Sequence, residues 1–150
     1  MDVVVRPARS EDVSQMCELL ADLFTLEADF VPDSSRQVRG LELLLNDRTG
    51  RSLVLVAVSG REVLGMCSVQ TRISTADGGP AGIVEDVVVR KDYRGRGIGS
   101  MLLARTVAWC RTKGMNSIHL LADRNNGKAL KFYVNQDWQQ TSLICLRKRI

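Results

Sequence analysis

The stretch "EDVVVRKDYRGRGIGSMLLARTVAWC", from Glu85 to Cys110, holds three glycines where an apolar run gives way to a helical pattern. Gly95, Gly97 and Gly99 alternate there with Arg96 and Ile98, directly after Arg94. Glycine lacks a Cβ, so the backbone can take positive φ and approach a ligand closely. A helix starting near Gly97 leaves its first amide hydrogens without internal partners, and its dipole favours negative charge there. Glycine amides leading into a helix therefore form a cradle for an anion. Lys91, Arg94 and Arg96 add positive charge, so phosphate is the natural guest and a pyrophosphate would span the turn. Two named phosphate loops do not fit. A Walker A loop ends in Gly-Lys-Ser/Thr, which is absent, and the dinucleotide fingerprint has Gly or Ala where Ser100 stands. Only the last third of the chain follows the turn, too little for a doubly wound sheet.

Outward from this centre the periodicity alternates between strand and helix. Asp2 to Arg6 is a β-branched run closed by Pro7. Ser10 can cap a helix, with Glu11 and Asp12 in its first turn, and Val13, Met16, Cys17, Leu20 and Phe24 follow helical spacing. A second helix is predicted over Ser35–Leu45. Leu53–Val58 and Val63–Ile73 read as strands joined by a hairpin turn at "SGRE". "STADGGPAG" is a loop by composition. Ile83–Val89 is a strand and Ile98–Lys113 a helix stopped by Gly114. Ser117–Leu121 is a strand, a short helix capped by Asn125 or Asn126 follows, and Leu143–Leu146 reads as a final strand. The order β-αα-βββ-α-β-α-β describes an α+β, or mixed α/β, fold with helices on both faces of a mixed sheet. The 150 residues are read as a single domain without repeats or a linker.

Hydrophobic residues at 45%, charged residues at 25% and a net charge of +4 are ordinary globular values. The mild positive charge fits a ligand bearing phosphates without demanding nucleic acid. The scarcity of aromatics argues against a base-stacking surface. No two of Cys17, Cys67, Cys110 and Cys145 are near enough for a CxxC motif. Each sits among apolar residues, so four buried thiols are expected, and no metal site. Such usage fits a reducing cytosol. The amino-terminal "MDVVVRPARS" does not read as a signal peptide, and no run approaches the roughly 18 apolar residues of a spanning helix. A cytoplasmic chain with no membrane or nucleic-acid partner is the expectation.

Arg94-Gly95-Arg96-Gly97-Ile98-Gly99 resembles the Q/R-x-x-G-x-G/A motif of the GNAT superfamily, the acyl-coenzyme-A-dependent N-acyltransferases. "VEDVVV" looks like the fourth strand of that family. "NNGKALKFYVNQDW", from Asn125 to Trp138, is similar to its later N-x-x-A-x-x-x-Y motif. The specific likeness covers residues 83 to 138, and in element order it runs from about residue 3 to the end. The family's usual Gly-Phe after the last helix is Asp137-Trp138 here, so that turn is expected to differ. The family closes its sheet with two strands, whereas "QQTSLICLRKRI" has room for one; a second subunit could complete the edge as a homodimer.

The resemblance implies an N-acetyltransferase that moves an acetyl group from acetyl-CoA to a primary amine by direct attack. It assigns the donor's pyrophosphate to the amides of Arg94, Gly95, Arg96, Gly97, Ile98 and Gly99, in agreement with the cradle above. It implies that Val87 and Val89 pair with the pantetheine arm, at a bulge in the strand, and that an amide of Val87 or Val88 faces the thioester carbonyl. Tyr133 matches the tyrosine that protonates the departing thiolate; taken alone it is a core aromatic beside Phe132. Asn126 matches a position contacting the coenzyme arm and can equally cap a helix. Glu85 is the candidate base, because a carboxylate on an apolar strand should face a cleft or a partner. Alternation places adjacent Asp86 on the opposite face. A salt bridge for Glu85, or a water chain in place of a base, are the alternatives. His119, the only histidine, reads as structural.

The resemblance implies that the acceptor is chosen by the first two helices and the loop before the fourth strand, here Phe24 to Arg39 and Ser74 to Gly82. Phe24, Glu27, Asp29, Phe30 and Asp33 could form an acidic, aromatic lip for a cationic small molecule, or equally a solvated helix end. Gln70 and Thr71 could add hydrogen bonds. The alternatives to a small-molecule acceptor are a protein amino terminus or lysine, and a non-catalytic module that senses acyl-CoA.

Overall fold

The structure, a computed structural model, describes residues 1–26 and 32–150. Its elements are β1 (Val4–Pro7), α1 (Val13–Leu26), α2 (Ser34–Leu45), β2 (Ser52–Ser59), β3 (Glu62–Ser74), β4 (Gly79–Val89), α3 (Ile98–Thr112), β5 (Ile118–Leu120) and α4 (Gly127–Asn135). The strands lie in sequential order, β1-β2-β3-β4-β5, and the first four pair antiparallel. The residues group into two compact units, Met1–His119 and Leu120–Ile150.

In the first unit the alternation of β2 builds two cores. Val54, Val56 and Val58 point to one face, where Met16, Leu19 and Leu20 of α1 and Leu41 of α2 cover them. Leu55 and Ala57 point to the other, against Ile98 and Leu102 of α3. Gly65 lets α3 seat closely. A Cβ there would lie 3.0 Å from the Val88 carbonyl oxygen and 3.2 Å from Leu102 Cδ1. The β2–β3 hairpin turns through Gly60 at φ 59° and Arg61. Gln15 of α1 holds it, donating to the Arg61 carbonyl at 3.0 Å and accepting from Val63 N–H at 2.9 Å.

Ser10 does not cap α1. Ser10–Asp12 form a 3-10 turn, and buried Asp12 supplies the anchor. Its carboxylate accepts from Arg9 N–H at 2.7 Å and takes both Arg6 terminal nitrogens, at 2.7 and 3.0 Å. Asp33 caps α2, accepting from Arg36 N–H at 3.3 Å. Asp47 shapes the link from α2 to β2, accepting from the amides of Thr49, Arg51 and Ser52.

Two expectations about strands change. Residues 79–82, read as loop, belong to β4, because Ser74 pairs with Gly79 and Thr71 with Gly82. The Gly82 N–H also donates to the Ser117 carbonyl at 3.1 Å. The connection before β4 is thus only residues 75–78. Leu143–Leu146 form no strand: residues 138–150 carry neither helix nor strand, and Leu143, Ile144 and Leu146 are exposed. β-propensity acts through packing on neighbours, and these residues have no ladder to join. Cys145 is accordingly exposed and Cys17 half-buried, while only Cys67 and Cys110 are buried as expected.

The exits from α3 and α4 use the same hydrogen-bond pattern. After α3, Gly114 takes φ 73°, Gly114 N–H bonds to Arg111 and Met115 N–H to Cys110. After α4, Asp137 takes φ 63°, its N–H bonds to Val134 and Trp138 N–H to Tyr133. Each is a Schellman motif. The glycine that the resemblance expects at 137 is therefore wanted for its left-handed backbone, and Asp137 adopts that backbone despite its Cβ.

Two stability predictions follow from these contacts. Asp137→Gly relieves left-handed strain and raises unfolding free energy by about 0.5–1 kcal/mol in chemical denaturation, the net of removed strain and added unfolded-state entropy. Asp12→Ala lowers it by about 2 kcal/mol, less than for a fully buried pair because Arg6 remains partly in water. The Arg6 hydrogen bonds, then the Arg9 amide, hold the Asp12 carboxyl below its ordinary 3.8 against the opposing effect of burial. Its contribution is therefore full above pH 3.8 and is lost as pH falls through the lower folded-state value, so the wild type and Asp12→Ala converge in acid denaturation.

Candidate active site

β4 carries an extra residue. Met66 pairs with Val88 and Ser68 with Glu85, so Cys67 alone faces both Asp86 and Val87. Asp86 adopts φ 56°, the left-handed position that glycine fills in one common kind of bulge. The bulge interrupts the regular pairing directly after Glu85. Ser68, paired directly with Glu85, places its hydroxyl 3.3 Å from the Glu85 carbonyl and 3.4 Å from Asp86 Oδ2. The Asp86 carboxylate thus reaches the hydroxyl of the residue that pairs with Glu85. Glu85 is exposed and Asp86 half-buried. Buried Ser68 sits inside the apolar run of β3, where a lone serine was the available signal.

Beyond the bulge the ladder resumes. Arg90 N–H donates to the Leu64 carbonyl at 2.8 Å. Alternation then makes Met66–Val88 the next hydrogen-bonded pair and directs the polar backbone groups of Val89 away from β3. The outward carbonyl of Val89 accepts from Arg94 Nε at 2.9 Å, which ties the glycine turn back to the strand. A 3-10 turn, Lys91–Tyr93, bridges the two.

The glycine turn has the geometry that its sequence demands. Gly95 and Gly97 take φ 74° and 82°. A Cβ on either would meet nothing within 4 Å, so backbone conformation and not crowding selects glycine. Gly97 precedes α3 without any side-chain cap. The first helical bond runs from Met101 N–H to the Gly97 carbonyl at 3.0 Å. Among the described residues, no backbone carbonyl takes the amides from Gly95 to Ser100, as expected for an uncapped helix start. Arg94 and Arg96 are exposed, and Ile98 is buried under α3.

In the second unit, Asn126 caps α4, its Oδ1 accepting from Ala129 N–H at 3.1 Å. Tyr133 lies in the last turn of α4, half-buried, with Phe132 and Trp138 edge-on at 5.3 and 6.1 Å between ring centroids. Glu85, Val87, Val88, Val89 and the glycine turn belong to the first unit, and Asn126 and Tyr133 to the second.

Around the first two helices, Phe24 packs on the α1/α2 core and Asp33 caps α2. Glu27, Asp29 and Phe30 lie outside the described residues. An open groove of about 650 Å³ runs between α1 and α2, lined by Cys17, Glu18 and Ala21 on one side and Ser34, Gln37 and Val38 on the other. Gln70 is exposed on β3, and His119 Nδ1 lies 3.5 Å from an Arg72 nitrogen. Burial pushes the Cys67 thiol up to about 11 and also raises Cys17 and Cys110. Among the described residues no cluster of three or more His, Cys, Asp or Glu could hold a metal, and no helix is long and apolar enough to cross a membrane.

Known proteins resemble this chain. An uncharacterized N-acetyltransferase of Archaeoglobus fulgidus is 24% identical over 136 residues, 89% of this chain and 90% of that protein. The aminoglycoside N(6')-acetyltransferase type 1 of Stenotrophomonas maltophilia is 26% identical over 117 residues, 76% of this chain and 71% of its own. The crystal structure of a transcriptional regulator from Bacillus halodurans C-125 superposes with a TM-score of 0.85 at 27% identity, covering 99% of this chain and 100% of that one. The profile of the acetyltransferase (GNAT) family matches residues 13–137, across both units and both motifs. A bulged strand, a left-handed glycine turn and an uncapped helix start stand in the order that this profile spans, and the chain is a member of the GNAT acetyltransferase family.

Proposed function

We propose that this acetyltransferase takes its acetyl group from acetyl-CoA and delivers it to a primary amine of a small molecule, as one catalytic domain. The observation that carries the reading is the glycine turn: left-handed Gly95 and Gly97, with open space where their Cβ atoms would lie, lead directly into the uncapped start of α3. That surface fits a diphosphate, since it offers several convergent amides and a favourable dipole end.

In this reading the amides of Gly95, Arg96, Gly97, Ile98 and Gly99 hold the donor's pyrophosphate, while the Arg94 amide bonds to the Lys91 carbonyl at 3.4 Å and closes the turn. The outward edge of β4 at Val87 and Val89 receives its arm; Val88 faces β3, so Val87 is the preferred donor of a hydrogen bond to the acyl oxygen. One such preorganised donor contributes about 3 kcal/mol to an acyl-transfer transition state. Acetyl-CoA supplies the thioester. The protein's work is to hold it, to accept the proton that the amine loses and to return a proton to the sulfur. Tyr133 is the proposed proton donor, through its phenol. Exposed Glu85 is the proposed acceptor, directly or through water. Burial raises the thiols of Cys17, Cys67 and Cys110 and so disfavours a covalent route through any of these three. Asn126 would contact the coenzyme arm with the part of its amide not used in capping.

The acceptor class is supported by two observations. The groove between α1 and α2 has a volume suited to a small ligand and carries the Glu18 carboxylate. The relative from Stenotrophomonas maltophilia is by name an aminoglycoside acetyltransferase, which suggests a polyamine-like acceptor.

Thiol release from acetyl-CoA, measured with a panel of aminoglycosides, polyamines and lysine peptides, tests the reading. Release with small polyamines and not peptides is expected. Release with peptides alone assigns a protein acceptor, and tight donor binding without release assigns a sensor. Tyr133→Phe should lower kcat about 10- to 100-fold while leaving acetyl-CoA affinity in calorimetry within twofold. Gly97→Ala should weaken that affinity about tenfold, because alanine resists φ 82° by about 1–2 kcal/mol.

A further inference from the structure

Tyr93 stands inside the glycine stretch, and none of the roles above uses it. It closes the 3-10 turn Lys91–Tyr93, its N–H donating to the Arg90 carbonyl at 2.9 Å. Its half-buried ring packs on the core formed by Leu55, Ala57, Leu64, Ile98 and Leu102. Its hydroxyl donates to Glu62 Oε2 at 3.3 Å. The other Glu62 oxygen accepts from Arg90 Nη1 at 2.6 Å. Glu62 is the first residue of β3, at the far side of the β2–β3 hairpin. The ring is therefore fixed from three directions: by its own backbone turn, by the core beneath it and by a carboxylate that is itself clamped.

The ring carries a load. The Arg96 guanidinium carbon lies 5.2 Å from its centroid, within cation–π range. Arg96 is exposed and sits between left-handed Gly95 and Gly97, so without the ring its long side chain would sample many rotamers. Arg94 cannot serve in the same way, because its Nε is committed to the Val89 carbonyl. The two arginines of the motif thus divide the work: Arg94 closes the turn onto β4, and Arg96 is mounted for a ligand. Arg90 also neutralises the Glu62 carboxylate, which would otherwise repel an anion bound nearby.

We infer that Tyr93, braced by Glu62 and Arg90, is a positioning residue that aims the Arg96 guanidinium at a phosphate of the acyl donor. This rests on the donor reading proposed above.

Calorimetric titration of the full chain with acetyl-CoA tests it through four proteins: wild type, Tyr93→Leu, Arg96→Gln and the double variant. Leucine keeps the apolar packing and removes the aromatic face; Tyr93→Met is the second choice should Tyr93→Leu fold poorly, and Tyr93→Phe restores the face. Tyr93→Leu should weaken binding about three- to fivefold, the range that a cation–π contact at an exposed site supplies. KM for acetyl-CoA should rise by the same factor while kcat changes less than about twofold. Tyr93→Phe should stay within about twofold of wild type. In the Arg96→Gln background, Tyr93→Leu should cost nothing further. Additive losses in the cycle, or equal losses for Tyr93→Leu and Tyr93→Phe, overturn the positioning role while wild-type binding keeps the donor reading intact. No heat with the wild type overturns both.

Discussion

The unpaired amides at the start of α3 are the constraint around which the first unit is arranged. A helix cannot satisfy its own first N–H groups, and this one begins without a capping side chain. The chain reaches that start by leaving β4, folding through one 3-10 turn and passing two left-handed glycines. Each feature nearby serves to keep that path open and fixed. Arg94 ties the loop to the end of the strand, Ile98 anchors the helix start in the core, and Gly65 lets α3 lie close to the sheet. A helix start so exposed is stable because a fold, and not a cap, holds it.

Two aspartates occupy backbone conformations that most side chains avoid. Asp86 stands at the bulge of β4 and Asp137 at the end of α4. Both sit where the chain must change direction within one residue, and aspartate tolerates the left-handed region better than bulkier residues do. The two differ in what surrounds them. Asp137 lies in a helix exit whose hydrogen bonds define the turn completely, and glycine would serve there. Asp86 brings a carboxylate near the Ser68 hydroxyl, beside exposed Glu85, in a strand that is otherwise apolar. Polar groups are thus gathered at the bulge, where the ladder between β3 and β4 is interrupted.

Charge is distributed with similar economy. Arg6 and Asp12 lock β1 to the turn before α1, Arg90 and Glu62 join the hairpin to the end of β4, and Arg94 meets a backbone carbonyl. Arg96 is left on an aromatic face at the mouth of the glycine turn. A mild overall charge therefore conceals a local arrangement in which two of the cations near the turn, Arg90 and Arg94, are structural.

The sequence by itself determined the features that depend on local backbone chemistry. Alternating glycines before a helical pattern allowed positive φ, and Gly95 and Gly97 have it, while Gly99 is helical. Val54 to Val58 alternated between two faces because a strand has a period of two, and Gly114 ended α3 because only the left-handed backbone closes a Schellman turn cheaply. The family, too, was legible, because its motifs are such local requirements in a fixed order. Features that depend on a partner were decided only by tertiary structure. Gly79–Gly82 look like loop, yet pairing with β3 makes them strand; Leu143–Leu146 look like strand, yet find no ladder. The bulge at Asp86 was located only by the register between β3 and β4, and Tyr93 acquired its place from Glu62, some thirty residues away, and from Arg96. Propensity is a property of a residue, whereas register and side-chain contact are properties of two, and a single chain read in order supplies only the first.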